Sequence, residues 1–228
     1  LARALAVISE RDGVRVSPWL TKLVGLTGES PLVARWLDLL GFSMSPEWSL
    51  ETLPDGRVRT QHLILDWETD PHLFELSEIG NGDAFALYLY PPWCRAGHEP
   101  VVVRFLHETN RVDFEALTFE AFLEAYLRGA ARASAAEAKV AALLRAKLGF
   151  DSVDRPLGEP PPFLPLDGAP LPRPEEAGDR ALLRERALLD RYLHGDEAAS
   201  RELVGVYRQL GWTYAEVELA ALEEPPIV

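Results

Sequence analysis

The chain has 228 residues, 47% hydrophobic and 26% charged, enough for one large domain or one domain with a small helical appendage. Its formal net charge of −13 argues against a nucleic-acid or anionic-membrane surface, which needs basic patches, and fits a basic protein partner. A single cysteine, Cys94, excludes an intramolecular disulfide framework and points to a reducing, cytoplasmic setting.

In chain order, residues 1–47 read as helical. The apolar opening Leu1–Ile8 is short and ends at Ser9-Glu10-Arg11-Asp12, without the h-region and cleavage site of a signal peptide. No apolar run is long enough to span a bilayer. Trp19, Leu20, Leu23 and Val24 keep helical spacing. Ser30-Pro31 starts another helix, continued by Val33, Trp36, Leu37 and Leu40 and stopped by Gly41. Trp19 and Trp36 are assigned to core packing. Trp48–Leu53 and Arg57–Trp67 read as strands joined by the turn Pro54-Asp55-Gly56.

Leu73–Ile79 and Ala84–Tyr90 are two further strands. Asn81-Gly82 between them is a hairpin signal, because both residues tolerate the positive φ of a type I′ turn. That turn sets Leu76 opposite Leu87 and Phe74 opposite Leu89 on a core face. Glu75 then falls opposite Tyr88 and Ser77 opposite Ala86 on the other face. Pro100–Leu106 is a third strand. Thr118 is an N-cap, with Leu117 poised to staple onto Phe122 and Glu120 in the first turn. Phe119, Phe122, Leu123, Tyr126 and Leu127 form one buried stripe, expected to lie on the Phe74/Leu76/Leu87/Leu89 face. The helical pattern runs to Leu148 with a jog at Gly129. Gly149 ends it, and Phe150 folds back on Leu144.

Eight prolines between Pro156 and Pro174 mark an extended linker, held along a surface by Phe163, Leu164 and Leu166. Three helices follow, Arg180–His194, Glu197–Leu210 and Tyr214–Glu223. The last has a capping box of Thr213 with Glu216 and a staple from Trp212 to Val217. The resulting fold class is α+β: an antiparallel meander sheet of about five strands with flanking helices, plus a small C-terminal helical segment. Residues 1–150 form the α+β domain, 151–178 the Pro-rich linker and 179–228 the helical segment.

The run Gly80-Asn81-Gly82-Asp83-Ala84-Phe85-Ala86-Leu87, then Pro100-Val101-Val102-Val103, His107-Glu108 and Thr118-Phe119-Glu120-Ala121-Phe122-Leu123, resembles the core of the SUKH superfamily. The likeness covers residues 73–127, under a third of the chain. It implies an α+β, non-enzymatic interaction module without a cofactor. Many bacterial members are immunity proteins that bind and neutralise toxin domains, and fungal relatives are regulatory scaffolds. The resemblance also implies that His107 ends a strand and bonds a turn backbone.

Candidate chemistry is sparse. Cys94, His98 and His107 give Cys-x3-His-x8-His, which lacks the spacing of a structural zinc site or an H-E-x-x-H helix, so no metal is expected. No Walker A, Rossmann or G-x-S-x-G fingerprint is present. Asp83 with Glu108 is a conceivable acid–base pair, but Asp83 is more simply a turn residue. The expected partner surface is the open sheet face with Glu75, Tyr88 and Tyr90. Trp93 on the Pro91-Pro92 loop forms its tip, and Asp83 and Glu99 form an acidic rim facing a basic toxin domain. The alternatives are an intracellular regulatory scaffold of the same fold and a hydrolase with an unrecognised His/carboxylate site.

Overall fold

The computed structural model describes residues 1–44, 49–52, 56–61, 69–80, 82–150, 155–164 and 180–223. The N-terminal part is helical: α1 (Ala2–Asp12), α2 (Pro18–Glu29) and α3 (Pro31–Leu39). Pro18 and Pro31 occupy first helical turns, where a missing N–H costs nothing. Gly13 closes α1 in the left-handed conformation at φ 68°, which a residue with a Cβ adopts at a cost.

The chain then forms β1 (Ser43–Met44), β2 (Ser49–Thr52), β3 (Val58–Gln61), β4 (Leu73–Gly80), β5 (Asp83–Tyr88), the short helix α4 (Pro91–Arg95), β6 (Val101–Leu106) and β7 (Arg111–Ala116). One antiparallel sheet has five strands in the order β1-β4-β5-β6-β7. The α+β class and the meander of β4 to β6 are as the sequence reads. The membership differs. Among the described residues β2 and β3 pair only with each other, as a separate antiparallel ribbon against α9. Their two places go to β1 and β7, neither of which is among the strands expected from sequence. The rest of the expected Arg57–Trp67 strand, residues 62–67, lies outside the described residues, as does the Pro54-Asp55 turn.

Gly80 pairs with Asp83, so the β4–β5 loop has two residues, as an Asn-Gly turn requires; Asn81 itself lies outside the described residues. The ladder then shifts register between Glu78 and Gly80 and again between Glu75 and Ser77. One slip exchanges the faces and the second restores them. Phe74 therefore lies opposite Leu87 rather than Leu89, and Ser77 opposite Phe85 rather than Ala86, yet Phe74, Leu76, Leu87 and Leu89 still share one core.

That core lies beneath α1–α3, α5 (Phe119–Ala133) and α6 (Ala135–Leu148). Thr118 Oγ1 accepts the Ala121 N–H at 3.3 Å, which fixes the start of α5. Phe122 sits among Phe42, Phe85, Phe119 and Tyr126. Leu117 turns away from Phe122 and packs on the opposite face of the sheet, so the expected staple is not made. The break between α5 and α6 falls at Ser134, not Gly129. The Ser134 hydroxyl accepts the Glu137 N–H at 3.2 Å and so starts a new helix. Phe150 does return, and its ring stacks on Trp19 with centroids 4.4 Å apart.

The other face of the sheet is covered too. Residues 180–223 form α7 (Arg180–Leu193), α8 (Glu197–Leu210) and α9 (Thr213–Glu223). Their apolar stripes bury Leu188, Leu189, Leu203, Val206 and Tyr207 against Ala86, Tyr88, Val101, Val103 and Phe105. Leu164 reaches the same cluster, and the Phe163 ring stacks on Tyr90 at 4.5 Å. The segment that reads as an appendage is thus the second helical layer, and β5 is buried on both sides. Truncating Phe122 to Ala should cost about 3–5 kcal/mol of stability, because the ring leaves a cavity among four aromatic neighbours. Urea unfolding of the two proteins measures it, and a loss below about 1 kcal/mol would place the ring outside the core.

Candidate functional site

The six residues expected at a partner surface do not lie together on one open face. Glu75, Tyr88 and Tyr90 are buried beneath α7–α9, since the face assumed open is a helix-packing face. Ser77 is buried as well. Trp93 is half-buried, its indole N–H donating to the Glu99 carbonyl at 2.7 Å and its ring stacked on His98 at 4.1 Å. Glu99 is half-buried, and burial raises its carboxyl pKa against the pull of Ser17 and Arg15.

Asp83 and His107 meet in a turn-to-turn clasp. Asp83 Oδ1 accepts the backbone N–H of His107 at 3.0 Å. Gly82, at φ 88°, lies under the His107 ring so closely that a Cβ there would stand 2.8 Å from Cγ. This glycine is required twice, by backbone conformation and by space. Gly82, Asp83 and His107 therefore join the β4–β5 hairpin to the turn after β6.

Cys94 is buried, and that burial, with Asp12 nearby, pushes its thiol up to about 12, far from a reactive thiolate. Cys94, His98 and His107 are not brought together as ligands. Among the described residues no group of three or more His, Cys, Asp or Glu side chains is placed to hold a metal ion.

What the sequence reading missed is a buried polar network where α7 and α8 meet the start of β4. Asp70 precedes Pro71, and its Oδ1 accepts the His72 backbone N–H at 2.9 Å, closing an Asx-type turn. The same oxygen lies 2.8 Å from His72 Nδ1, and Oδ2 accepts the Tyr88 hydroxyl at 2.7 Å. On the far side of the ring, His72 Nε2 stands 3.9 Å from Glu185 of α7. Glu185 accepts the Tyr207 hydroxyl at 3.4 Å. Arg186 lies 4.6 Å over the Tyr90 ring, a cation–π contact. Tyr88, Tyr90, Tyr207 and Trp212 surround the imidazole at centroid distances of 5.5 to 6.2 Å.

Burial alone would raise Asp70, but the adjacent His72 ring and the hydrogen bonds from His72 and Tyr88 hold its carboxyl below the usual range. Burial raises Glu185, and His72 and Arg186 only partly offset it. Burial also drives the Tyr88 and Tyr207 hydroxyls well above the usual phenol range. Chemically this is an acid–base set, yet Asp70, His72 and Glu185 are almost completely buried. The one sequence sign of it was Asp70-Pro71-His72, a turn tripeptide carrying two titratable groups at a strand entrance.

A cleft of about 330 Å³ runs along the edge of this region, between Asp12 at the end of α1, Cys94 and Arg95 of α4, and Gly211–Ala215. Of its charged groups, Arg11, Asp12 and Arg95 are engaged within the chain. Arg11 binds Asp12 at 2.7 Å, and Arg95 donates to the carbonyls of Leu210 and Gly211 at 3.2 and 2.8 Å. Asp12 also accepts the Tyr214 backbone N–H. Glu216, expected in a capping box with Thr213, receives Arg57 and Arg208 on its Oε1 at 2.7 and 3.0 Å.

The chain matches no protein-family model, no curated protein and no solved structure. Among the described residues, no helix is long and apolar enough to cross a membrane.

Two outcomes test these placements. Burial, with Glu78 adding repulsion, pushes the Glu75 carboxyl up to about 7 from its ordinary 4.5. The folded state thus holds this proton more tightly than the unfolded chain. The Glu75 contribution to stability is complete below about pH 4.5 and is lost as pH rises through about 7. Glu75→Gln should remove that loss and gain on the order of 2–3 kcal/mol at about pH 8 relative to about pH 4.5. Denaturant unfolding of both proteins across this range measures it, and parallel pH profiles would contradict the placement. Gly82→Ala should cost about 1–3 kcal/mol, since it strains a positive φ and displaces the His107 ring. Thermal melts check this, and an unchanged midpoint would dismiss the clasp.

Proposed function

We propose that this chain is a non-enzymatic protein-binding module of the SUKH type, an immunity-type protein that neutralises a basic toxin domain by direct contact in a reducing compartment. The observation that carries this reading is the Asp83–His107 clasp. The polar motif residues are committed to joining two turns, which is the work of a scaffold rather than of a reaction centre. The formal charge of −13 supports a basic partner, because opposite net charge steers encounter. The alternative of a regulatory scaffold of the same fold draws on the same observation. A hydrolase draws on Asp70, His72 and Glu185, but their burial beneath α7–α9 argues against it, since a general base must reach its substrate directly or through one water.

The test is capture of the tagged chain from its native host followed by mass spectrometry. A basic toxin-domain protein should co-purify in stoichiometric amount. Association of the purified pair should slow as salt is raised from about 0.1 to about 1 M, where the screening length shrinks from roughly 10 to roughly 3 Å. A stoichiometric partner that is not a toxin would select the scaffold role. Hydrolytic activity lost in a folded His72→Gln variant would replace both readings with the enzyme.

A further inference from the structure

The two helical layers grip the sheet by different chemistry. Beneath α1–α3, α5 and α6 the contact is a large apolar core built around Phe74, Phe85, Leu87 and Phe122. Beneath α7–α9 the contact contains the charged set Asp70, His72, Glu185 and Arg186, all buried. Four polar groups of that set make no hydrogen bond among the described residues: His72 Nε2, Glu185 Oε2, and Arg186 Nε and Nη1. The approaches of Glu185 to His72 and to Arg186, 3.9 and 3.6 Å, exceed hydrogen-bond distance. Buried charges with unmet partners lose their hydration without full recompense, so this seam holds less tightly than an apolar seam of the same area.

Connectivity points the same way. α7, α8 and α9 are consecutive, pack on one another, and contribute no strand to the five-stranded sheet. They can therefore leave without breaking a ladder hydrogen bond. Side-chain hydrogen bonds that tie their backbone or side chains to the rest include Tyr214 to the Leu73 carbonyl, Arg95 to Leu210 and Gly211, and Arg57 to Glu216. At one end Tyr214 of α9 enters the first core beside Phe74 and Asp12 accepts its backbone N–H, so release also draws this ring out of that core.

We propose that α7–α9 is a releasable cover, which opens from the sheet as one unit while the α1–α3, α5 and α6 side stays folded. Opening rehydrates His72, Glu185 and Arg186 and uncovers the face carrying Glu75, Tyr88 and Tyr90. The cover is a property of the chain itself and does not depend on the identity of any partner.

Native-state hydrogen exchange on the full chain, followed by mass spectrometry in low denaturant, tests this. Amides of α7–α9 should exchange together, about a hundredfold or more faster than those of β5 and of the buried face of α5. Exchange of α7–α9 at the same slowest rate as β5 would overturn the proposal. Replacing the charged pair by apolar side chains, Glu185→Leu with Arg186→Met, should slow α7–α9 exchange about tenfold or more and leave β5 unchanged. Unchanged or faster exchange of α7–α9 in a variant with normal β5 protection would remove the polar seam as its cause. The wild-type measurement decides the release even where the double variant fails to fold.

Discussion

Burial of β5 on both faces is the constraint from which the rest of the architecture follows. Phe85, Leu87 and Leu89 point into one core, while Ala86, Tyr88 and Tyr90 point into the other. A strand with apolar side chains in both directions cannot leave either face to water. It requires two covering layers, and this chain supplies one from before and just after the sheet and the other from its last described helices. Register serves the same end. The two slips along β4 cancel, so that Phe74 and Leu76 still reach the first core from a ladder that is not the one a regular hairpin would give.

Tyrosine settles what the second face must contain. A buried phenol needs a hydrogen-bond partner, and Tyr88 finds Asp70 while Tyr207 finds Glu185. Each carboxylate brings a charge indoors, and His72 and Arg186 are the groups that answer it. The first core avoids this chain of consequences because its large residues are mostly phenylalanine and leucine. Its tyrosines, Tyr126 and Tyr214, donate to backbone carbonyls, those of Leu40 and Leu73, and so bring in no charge. The difference between the two seams therefore begins with which aromatic residues occupy β5.

The contact between Gly82, Asp83 and His107 is a device for holding turns. Gly82 provides a conformation and a gap, Asp83 an acceptor, and His107 a backbone donor with a ring that fills the gap. None of these needs an open pocket.

Local signals were legible wherever the cause was local. Thr118 as a cap, the two-residue loop between Gly80 and Asp83, and the last three helices, to within a residue or two, could all be read from neighbouring residues. They depend on backbone conformation and on periodicity within a few turns. The ribbon of β2 and β3, the place of β7 in the sheet, and the burial of Glu75, Tyr88 and Tyr90 could not be read this way. Alternation along a strand shows that two faces differ, but not what lies against each of them. The continuous apolar run Ala84–Tyr90 was the available sign of two-sided burial, and the acidic and phenolic groups beside it pointed instead to a wet face. Only the tertiary structure brought Glu185 and Arg186 across more than a hundred residues of chain to His72 and Asp70, because burial and charge pairing are set by contacts far apart in sequence.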